Sequence, residues 1–332
     1  MHPLTTFLAD AWINFDVGSL RDQFWSNTFD GLTYGAIYAL VAMGYTLVYG
    51  VLNLINFAHS EVFIVGAYAV FFVLSGLGFG PSAPALSIGA LVADLLLAMV
   101  AAMLVSAAVA VILERVAYRP LRRKGVPRLV FLITAIGASF TIQYLIFIWR
   151  GPSAEPAVIM FRPEAVFTVF GADIDDQQLT IVAAALVLML VADVFVNRTR
   201  LGRGVRAVAQ DPDTATLMGV NKERVIMLTF LMGGLLAGAA SLFYVMKVPS
   251  GVQYSGGFIL GIKAFAAAVL GGIGNIRGAL LGGLLLGVVS NYGQTLLGAS
   301  QWSDVVAFVV LVVVLMFRPT GILGESLGKA RV

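Results

Sequence analysis

Long apolar stretches alternate with short polar connections along most of this chain of 332 residues. A transmembrane helix needs about 20 mostly apolar residues to cross a hydrocarbon core of ~30 Å, and about nine stretches are long enough. The last three are closely spaced and interrupted by glycine, which leaves a range of about eight to ten spans. We therefore predict an all-α fold, a polytopic bundle of membrane helices. The apolar stretches cover roughly 29–50, 58–78, 86–113, 128–149, 177–197, 225–246, 257–275, 278–297 and 302–318.

Basic residues concentrate on one side of these predicted spans. Segment 114–128 carries six lysine or arginine residues, segment 197–224 another six, and the tail 318–332 three of the 21 in the chain. Acidic residues collect in the connections of the other side, including 151–176. Cytoplasmic loops are enriched in lysine and arginine, so we predict a cytoplasmic C-terminus. The predicted parts are an extracytoplasmic N-terminal segment (1–28), a transmembrane domain (29–318) and a cytoplasmic tail (319–332).

The composition excludes several classes of chemistry. Hydrophobic residues make up 59% of the chain and charged residues 12%. The sequence has no cysteine and two histidines, too few for a thiolate or histidine-based metal site. The motifs of P-loop ATPases, zinc proteases and nucleophile-elbow hydrolases are absent from it. We expect no catalysis by this chain, and neither a metal, nor a cofactor, nor a nucleic-acid partner.

A polar cluster follows the first predicted span. Asn53, Asn56, His59 and Glu61 lie within nine residues of one another. Such groups are costly at membrane depth unless neighbours or water satisfy them. They are candidates to line the inner part of a translocation path. The alternative is a re-entrant or interfacial turn in which Ser60 or Asn56 caps the next helix and Glu61 lies in its first turn. Both interpretations can hold together.

Lys263 lies inside the apolar stretch 257–275, where a cation is by default a functional candidate. Glu61 is its candidate counter-ion, and the alternative is a lysine side chain that extends to the outer surface. The glycine-rich run 271–278, which contains Asn275, is a poor helix interior because glycine has low helix propensity. We predict a break there, either facing a cavity or forming a plain turn between helices.

Three local patterns give further expectations. Glycines four residues apart, such as Gly31 and Gly35, predict close helix packing. An apolar alternation at 166–170 predicts a small hairpin. Asp193 is expected to pair with Arg198 or Arg200 near the cytoplasmic end of its span.

The segment 203–221 is a polar, basic insert between apolar stretches. Asp211 is suited to cap a helix, Pro212 to its first turn, and Gly219 to its end. We therefore predict a short helix over 212–218. A short helix on the cytoplasmic face is a surface that a soluble partner can bind.

Four blocks of the sequence resemble the branched-chain amino acid permeases of ATP-binding cassette (ABC) importers, of the LivH type. The resemblance extends from 29 to 324, and its most specific part is 44–61. Ser60 stands where a glycine is expected, and the ATPase-docking pattern is relaxed to Ala215 and Gly219. The blocks are GLTYGAIYALVAMGYTLVYGVLNLINFAHSE (31–61), RAVAQDPDTATLMGVNKERV (206–225), GIKAFAAAVLGGIGNIRGALLGG (261–283) and FRPTGILG (317–324).

The resemblance implies a permease subunit in a bacterial inner membrane that forms the pathway for leucine, isoleucine or valine. Its implied partners are a second permease of the LivM type, two ATP-binding subunits and a periplasmic substrate-binding protein. Related systems carry urea, short amides or other amino acids. A rival hypothesis is an ion-coupled secondary transporter that uses Glu61, Asp94 and Lys263. The implied ATPase-coupling residues are Arg206, Asp211, Ala215, Gly219 and Asn221, and the candidate pathway residues are Asn53, Asn56, His59, Glu61, Lys263 and Asn275.

Overall fold

The computed structural model describes residues 17–82, 86–248, 251–298 and 302–324, and most of these residues are helical. A π-helical turn, Glu114–Tyr118, joins the helix Ile88–Leu113 to the helix Arg119–Arg123. The elements in chain order are α1 (Val17–Asp22), α2 (Phe24–Leu52), α3 (His59–Gly76), α4 (Ile88–Leu113), α5 (Arg119–Arg123), α6 (Arg128–Arg150), β1 (Ala165–Val169), β2 (Ala172–Asp175), α7 (Asp176–Arg198), α8 (Arg200–Gln210), α9 (Pro212–Leu217), α10 (Lys222–Lys247), α11 (Gly256–Gly271), α12 (Ile276–Leu296) and α13 (Trp302–Phe317).

The mainly helical membrane fold is confirmed. Among the described residues, seven helical segments are long and apolar enough to cross a membrane. They are α2, α3, α4 continued through α5, α6, α7, α10 and α12. The apolar helices α11 and α13 have 16 residues each, fewer than the ~20 that a span needs. The count of about nine spans therefore stays a prediction.

The core of the bundle lies around α2 and α10. In the most apolar part of each helix, 83% of α2 and 72% of α10 is buried, against 22% of α6 and 28% of α7. Helices α3, α11 and α12 complete the interior, while α6 and α7 lie at the periphery. The two peripheral helices expose large apolar side chains, as expected of surfaces that face lipid or another subunit.

Glycines set the distance between α2 and α12. A Cβ atom on Gly35 would lie 2.8 Å from the Cα atom of Leu284, and one on Gly31 would lie 2.6 Å from the Cα atom of Val288. Cβ atoms essentially never approach other atoms more closely than 3.0 Å. The predicted packing role of Gly31 and Gly35 is confirmed, because these two backbones touch where side chains would separate them.

Replacing Gly35 with alanine is expected to destabilise the bundle by about 1–3 kcal/mol, because backbone atoms of α12 occupy the space of the methyl group. The measurement is the midpoint of thermal unfolding in detergent. Gly137→Ala in α6 is the matched control, since no atom lies within 4 Å of its Cβ position. That control is expected to be neutral or slightly stabilising, because alanine has the higher helix propensity. Equal midpoints for G35A and the unmodified protein would contradict the packing role.

The chain turns back into the bundle between α2 and α3. Asn53 ends α2 in the left-handed conformation, with φ of 50°. His59, the first residue of α3, then lies against Gly44 of α2 and Gly233 of α10. Both glycines are interior residues of their helices. Helix α3 therefore begins well inside the bundle, as the predicted re-entrant turn requires.

Two other local predictions are confirmed. Strands β1 and β2 pair in antiparallel fashion, which is the hairpin expected at 166–170. The glycine-rich run is broken after Gly271, and Gly272 has φ of 106°. The N–H groups of Ile322 and Leu323 donate to carbonyls at the end of α11, so the closing segment of the described chain covers this turn.

Candidate functional site

The first turn of α3 places two polar groups in the apolar interior. Glu61 is fully buried, and its Oε1 atom accepts hydrogen bonds from Ser60 at 3.4 Å and from Ser139 at 3.2 Å. His59 is also buried, and its ring meets Tyr45 edge-on at a centroid distance of 4.7 Å. Among the described residues, Glu61 Oε2 and His59 Nε2 have no hydrogen-bond partner. These atoms retain hydrogen-bonding capacity where it is costly to leave unused.

The capping interpretation of this turn is wrong. Ala58 is the N-cap of α3, and no side chain caps the helix. Asn56 instead accepts a hydrogen bond from the Tyr118 hydroxyl at 2.7 Å, and Ser60 donates to a carbonyl of the preceding turn. A partner from a distant helix thus competes successfully for the Asn56 side chain. Asn53 lies apart from this buried group and is exposed.

Lys263 extends from α11 toward the first turn of α13. Its Nζ atom lies 2.5 Å from Asp304 Oδ1 and 3.2 Å from Ser303 Oγ. The same atom lies 5.8 Å from the centre of the Tyr38 ring. The candidate counter-ion Glu61 is engaged with the serines described above, and Asp304 takes the place next to the lysine.

Asn275 caps α12 after the glycine-rich break. Its Oδ1 atom accepts from the N–H groups of Arg277 at 3.0 Å and Gly278 at 3.2 Å, and its amide donates to the carbonyl of Leu323. Asn275 therefore holds the break and the closing segment together.

The predicted partner of Asp193 is wrong. Its carboxylate pairs with Arg277 at 3.0 Å instead of Arg198 or Arg200. Arg277 lies 84 positions away in the chain, and the start of α12 delivers it to α7. Arg198 and Arg200 were predicted because they are close to Asp193 in the sequence. The packing of helices decides this contact instead.

A polar cavity of about 380 Å³ lies between α2, α10, α11, α12 and α13. It is at the same end of the bundle as the hairpin, because Asp30 in its wall accepts a hydrogen bond from Gln178 of α7, shortly after β2. This cavity was not predicted from the sequence. The sequence did contain a signal for it, because polar residues in α2 and α12 recur at the spacing that places them on one face of a helix. The cavity is lined by Asp30, Tyr34, Tyr38, Lys247, Lys263 and Ser290, among others.

A buried charge cluster lies at the opposite end, where α4 passes through the π turn into α5. Glu114 is fully buried, and its carboxylate lies 2.5 Å from Arg122 Nη2 and 3.2 Å from Arg119 Nε. Glu223, at the start of α10, contacts the same two arginines at 3.0 and 3.2 Å. Helices α4 and α5 form one continuous segment, Ile88–Arg123, which we call the α4–α5 rod. The cluster joins this rod to α10, the helix that follows the 203–221 segment.

The short helix predicted in 203–221 is confirmed as α9. Asp211 is its N-cap and accepts from the N–H groups of Asp213 at 3.0 Å and Thr214 at 3.1 Å. Hydrogen bonds from the Thr214 hydroxyl and from these two amides hold the pKa of Asp211 below its ordinary value. Pro212 is the first helical residue, and Gly219 follows the helix with φ of 86°.

The remaining candidate coupling residues shape the ends of this segment. Arg206 donates to the carbonyl of Val196, Ala215 is buried, and Asn221 caps α10. The exposed apolar surface at the end of α9 comes from Leu217 and Met218, which are 87% and 81% exposed. These two residues were not among the candidates predicted from the sequence, although two large apolar residues before a glycine in a polar segment were a usable signal.

Replacing Asp211 with alanine is expected to speed amide hydrogen exchange at the start of α9 by about fivefold, because the capping acceptor is lost. Asp211→Asn is expected to keep exchange slow, since asparagine is an equally good N-cap. Asp213→Ala removes a neighbouring carboxylate that does not cap the helix and serves as the charge control. Equal protection in D211A and D213A would show that the cap does not hold α9.

The described helices define a class, the multi-pass membrane proteins, and comparison with known proteins identifies the family within it. Residues 27–315 match the family described as branched-chain amino acid transport system / permease component. This chain belongs to that family.

Individual relatives cover almost the whole chain. The high-affinity branched-chain amino acid transport system permease protein BraD of Pseudomonas aeruginosa is 42% identical over 300 residues, 89% of this chain and 94% of that protein. The corresponding permease protein LivH of Escherichia coli is 39% identical over 311 residues, 91% and 96% of the two chains. The ribose import permease protein RbsC of Escherichia coli matches a shorter region, at 33% identity over 138 residues. No solved structure matches.

Proposed function

We propose that this chain is the permease subunit of an ABC importer that carries leucine, isoleucine and valine across a bacterial inner membrane. The observation that carries the proposal is the similarity to BraD, which extends over 94% of that permease. The buried polar turn at the start of α3 and the polar cavity beside Lys263 add interior groups of the kind that a transport path uses.

The proposed assembly contains a second permease of the LivM type, two cytoplasmic ATP-binding subunits and a periplasmic binding protein. ATP-driven movement of the ATPases reaches the membrane through 203–221. The exposed Leu217 and Met218 at the end of α9 support this role, because large apolar side chains at the tip of a short surface helix suit a protein groove. Arg206, Asp211, Ala215, Gly219 and Asn221 then act by shaping α8, α9 and the start of α10.

The proposed topology has about nine spans, an N-terminus in the periplasm and a C-terminus in the cytoplasm. In this arrangement α11 and α13 complete the crossing with their flanking residues. Residues 1–28 lie outside and 319–332 inside. Support comes from Arg119 and Arg122, the partly exposed arginines of the Glu114 cluster, which lie at the end of the bundle that also holds α8 and α9. Their position is consistent with enrichment of basic residues on the cytoplasmic side.

The proposed pathway runs past the first turn of α3 and the cavity at Lys263. Asn56, His59 and Glu61 contribute its inner polar groups, and Lys263 its outer cation. Asn53 and Asn275 brace the two breaks beside it. The partnerless atoms of His59 and Glu61 support this assignment, because water or substrate in a path supplies the hydrogen bonds that they lack within the described chain.

Uptake by the reconstituted assembly tests the proposed function. Proteoliposomes that contain this chain, its partner permease and the ATP-binding subunits are expected to accumulate labelled leucine only with binding protein outside and ATP inside. Unlabelled isoleucine and valine are expected to compete, whereas urea is not. Uptake driven by a proton or sodium gradient with this chain alone would instead support the rival secondary transporter.

Purification under mild detergent gives a second, independent test. Tagged chain from its native membrane is expected to retain ATP-binding subunits and the partner permease. Recovery of the chain without any ATPase, in a preparation that is folded by its melting transition, counts against the proposed assembly.

A further inference from the structure

The cavity at the hairpin end of the bundle has two facing polar walls. Along α2, Asp30, Tyr34 and Tyr38 recur every fourth residue, which places them on one face of the helix. Ser290 and Asn291 face them from α12. The volume of about 380 Å³ is at the small end of the range for ligand pockets, which suits a molecule of amino-acid size.

Two lysine–aspartate ion pairs lie along this cavity. Lys247 Nζ lies 2.7 Å from Asp30 Oδ1, and Lys263 Nζ lies 2.5 Å from Asp304 Oδ1. In each pair the lysine is the more buried partner, with side-chain exposures of 15% for Lys247 and 10% for Lys263. Part of each carboxylate still faces solvent, so each pair can exchange its partner for a charged ligand at little cost.

Tyrosine rings connect the two ion pairs. The Lys247 ammonium lies 5.7 Å from the centre of the Tyr34 ring, and the Lys263 ammonium lies 5.8 Å from that of Tyr38. The two rings are 6.4 Å apart on successive turns of α2. Each of the two tyrosine rings therefore has a lysine ammonium and the carboxylate paired with it nearby.

One hydroxyl in the cavity wall has no partner in the described part of the chain. Ser290 is 3% exposed, and its Oγ atom makes no hydrogen bond there. Buried hydroxyl groups are normally satisfied. A cavity that offers an unpaired donor beside exchangeable charges is suited to a small ligand that carries both signs of charge.

We propose that this cavity binds the α-ammonium and α-carboxylate groups of a free amino acid on its way through the permease. Lys263 and the Ser290 hydroxyl hold the carboxylate, while Asp30 and the face of the Tyr34 ring hold the ammonium. The inference rests on the proposed function and deepens it, because it gives the permease its own selectivity for zwitterions. The polar lining contacts the α-ammonium and α-carboxylate groups, so the side chain of the amino acid contributes little to recognition here.

The selectivity follows from the cost of unmatched charges. A ligand without the carboxylate cannot take the place of Asp304 beside Lys263, and it leaves the Ser290 hydroxyl without a partner. A ligand without the amino group cannot take the place of Lys247 beside Asp30. Sites built from buried polar groups reject analogues that leave those groups unpaired. Leucinamide and 4-methylpentanoate, which keep the leucine side chain but lose one charge each, are therefore expected to bind poorly.

Ligand-observed saturation-transfer NMR on the purified permease–ATPase complex without binding protein tests the proposal. Leucine and valine are both expected to show saturation transfer, with a signal at least fivefold weaker for leucinamide and 4-methylpentanoate. Lys263→Gln is expected to abolish the leucine signal, and Lys263→Arg to retain part of it. Ser290→Ala removes one hydrogen bond and is expected to weaken leucine binding about fivefold. Lys124 is an exposed residue of a turn, so Lys124→Gln serves as the charge control and is expected to leave binding unchanged.

Several results would overturn the zwitterion site. They are no leucine signal with the unmodified complex, equal signals for leucine and leucinamide, and unchanged binding in both K263Q and S290A. Phosphoethanolamine, which carries the same charges as a lipid head group, is the other source of this chemistry. Binding of that probe tighter than leucine would assign the cavity to lipid and reject the proposal. ATP-driven leucine uptake in proteoliposomes judges the proposed function separately, so its persistence beside a failed binding experiment removes only the zwitterion site.

Discussion

Replacing Glu114 with alanine is expected to lower the free energy of unfolding by about 3 kcal/mol, because two arginines lose the buried carboxylate that neutralises them. The value is at the lower end for a broken buried pair, since Arg119 and Arg122 keep 24% and 14% of their side chains exposed. Chemical unfolding in detergent, monitored by tryptophan fluorescence, measures the loss.

Glu223→Ala provides the matched comparison for this cluster. Glu223 contacts the same arginines but has 30% of its side chain exposed, so water can replace it. Its loss is expected to cost about 1 kcal/mol or less. If the two variants unfold alike, burial does not distinguish the two carboxylates and the cluster is an ordinary surface network.

Replacing Gly219 with arginine is expected to reduce ATP-driven leucine uptake at least tenfold while the protein still inserts and folds. No atom lies within 4 Å of the Cβ position of Gly219, so the substitution creates no clash inside the chain. The φ of 86° is unfavourable for arginine by about 1–2 kcal/mol, which disturbs the end of α9. The new cation also lies beside the exposed Leu217 and Met218 on the proposed ATPase-facing surface.

Uptake and ATP hydrolysis are measured together for this variant, because loss of uptake with persisting hydrolysis is the signature of uncoupling. Gly219→Asn is the control, since asparagine tolerates the left-handed conformation better than other residues. It is expected to retain most of the uptake. Normal transport by G219R would show that 203–221 is not the docking element.

Local features of this fold were predictable from the sequence. Apolar length located the helices, and Asp211, Pro212 and Gly219 identified α9 because capping and chain termination depend on adjacent residues. The hairpin and the glycine-rich break followed from equally local patterns. The number of spans did not follow from apolar content alone, because α11 and α13 have 16 residues each and the length that a span needs also depends on tilt and depth.

Contacts between distant helices were not predictable. The partner of Asp193 is Arg277, and the partner of Lys263 is Asp304, each delivered by a helix far along the chain. For the same reason Asn56 accepts a hydrogen bond from Tyr118 instead of capping α3 as expected. The polar cavity shows the limit most clearly, because polar residues every fourth position also occur in ordinary helix packing. Only the juxtaposition of α2 with α12 distinguishes the two cases.

The π turn at Glu114–Tyr118 sets the rotation of α5 about the helix axis relative to α4. Each residue of an α-helix changes the direction of its side chain by about 100°, and a π turn accommodates an additional residue within one turn. Deleting one residue here would leave the rod nearly as long and as apolar as before. It would, however, rotate Arg119 and Arg122 away from Glu114 and Glu223. The π turn therefore determines which way α5 faces relative to α4, and so whether Arg119 and Arg122 reach both carboxylates.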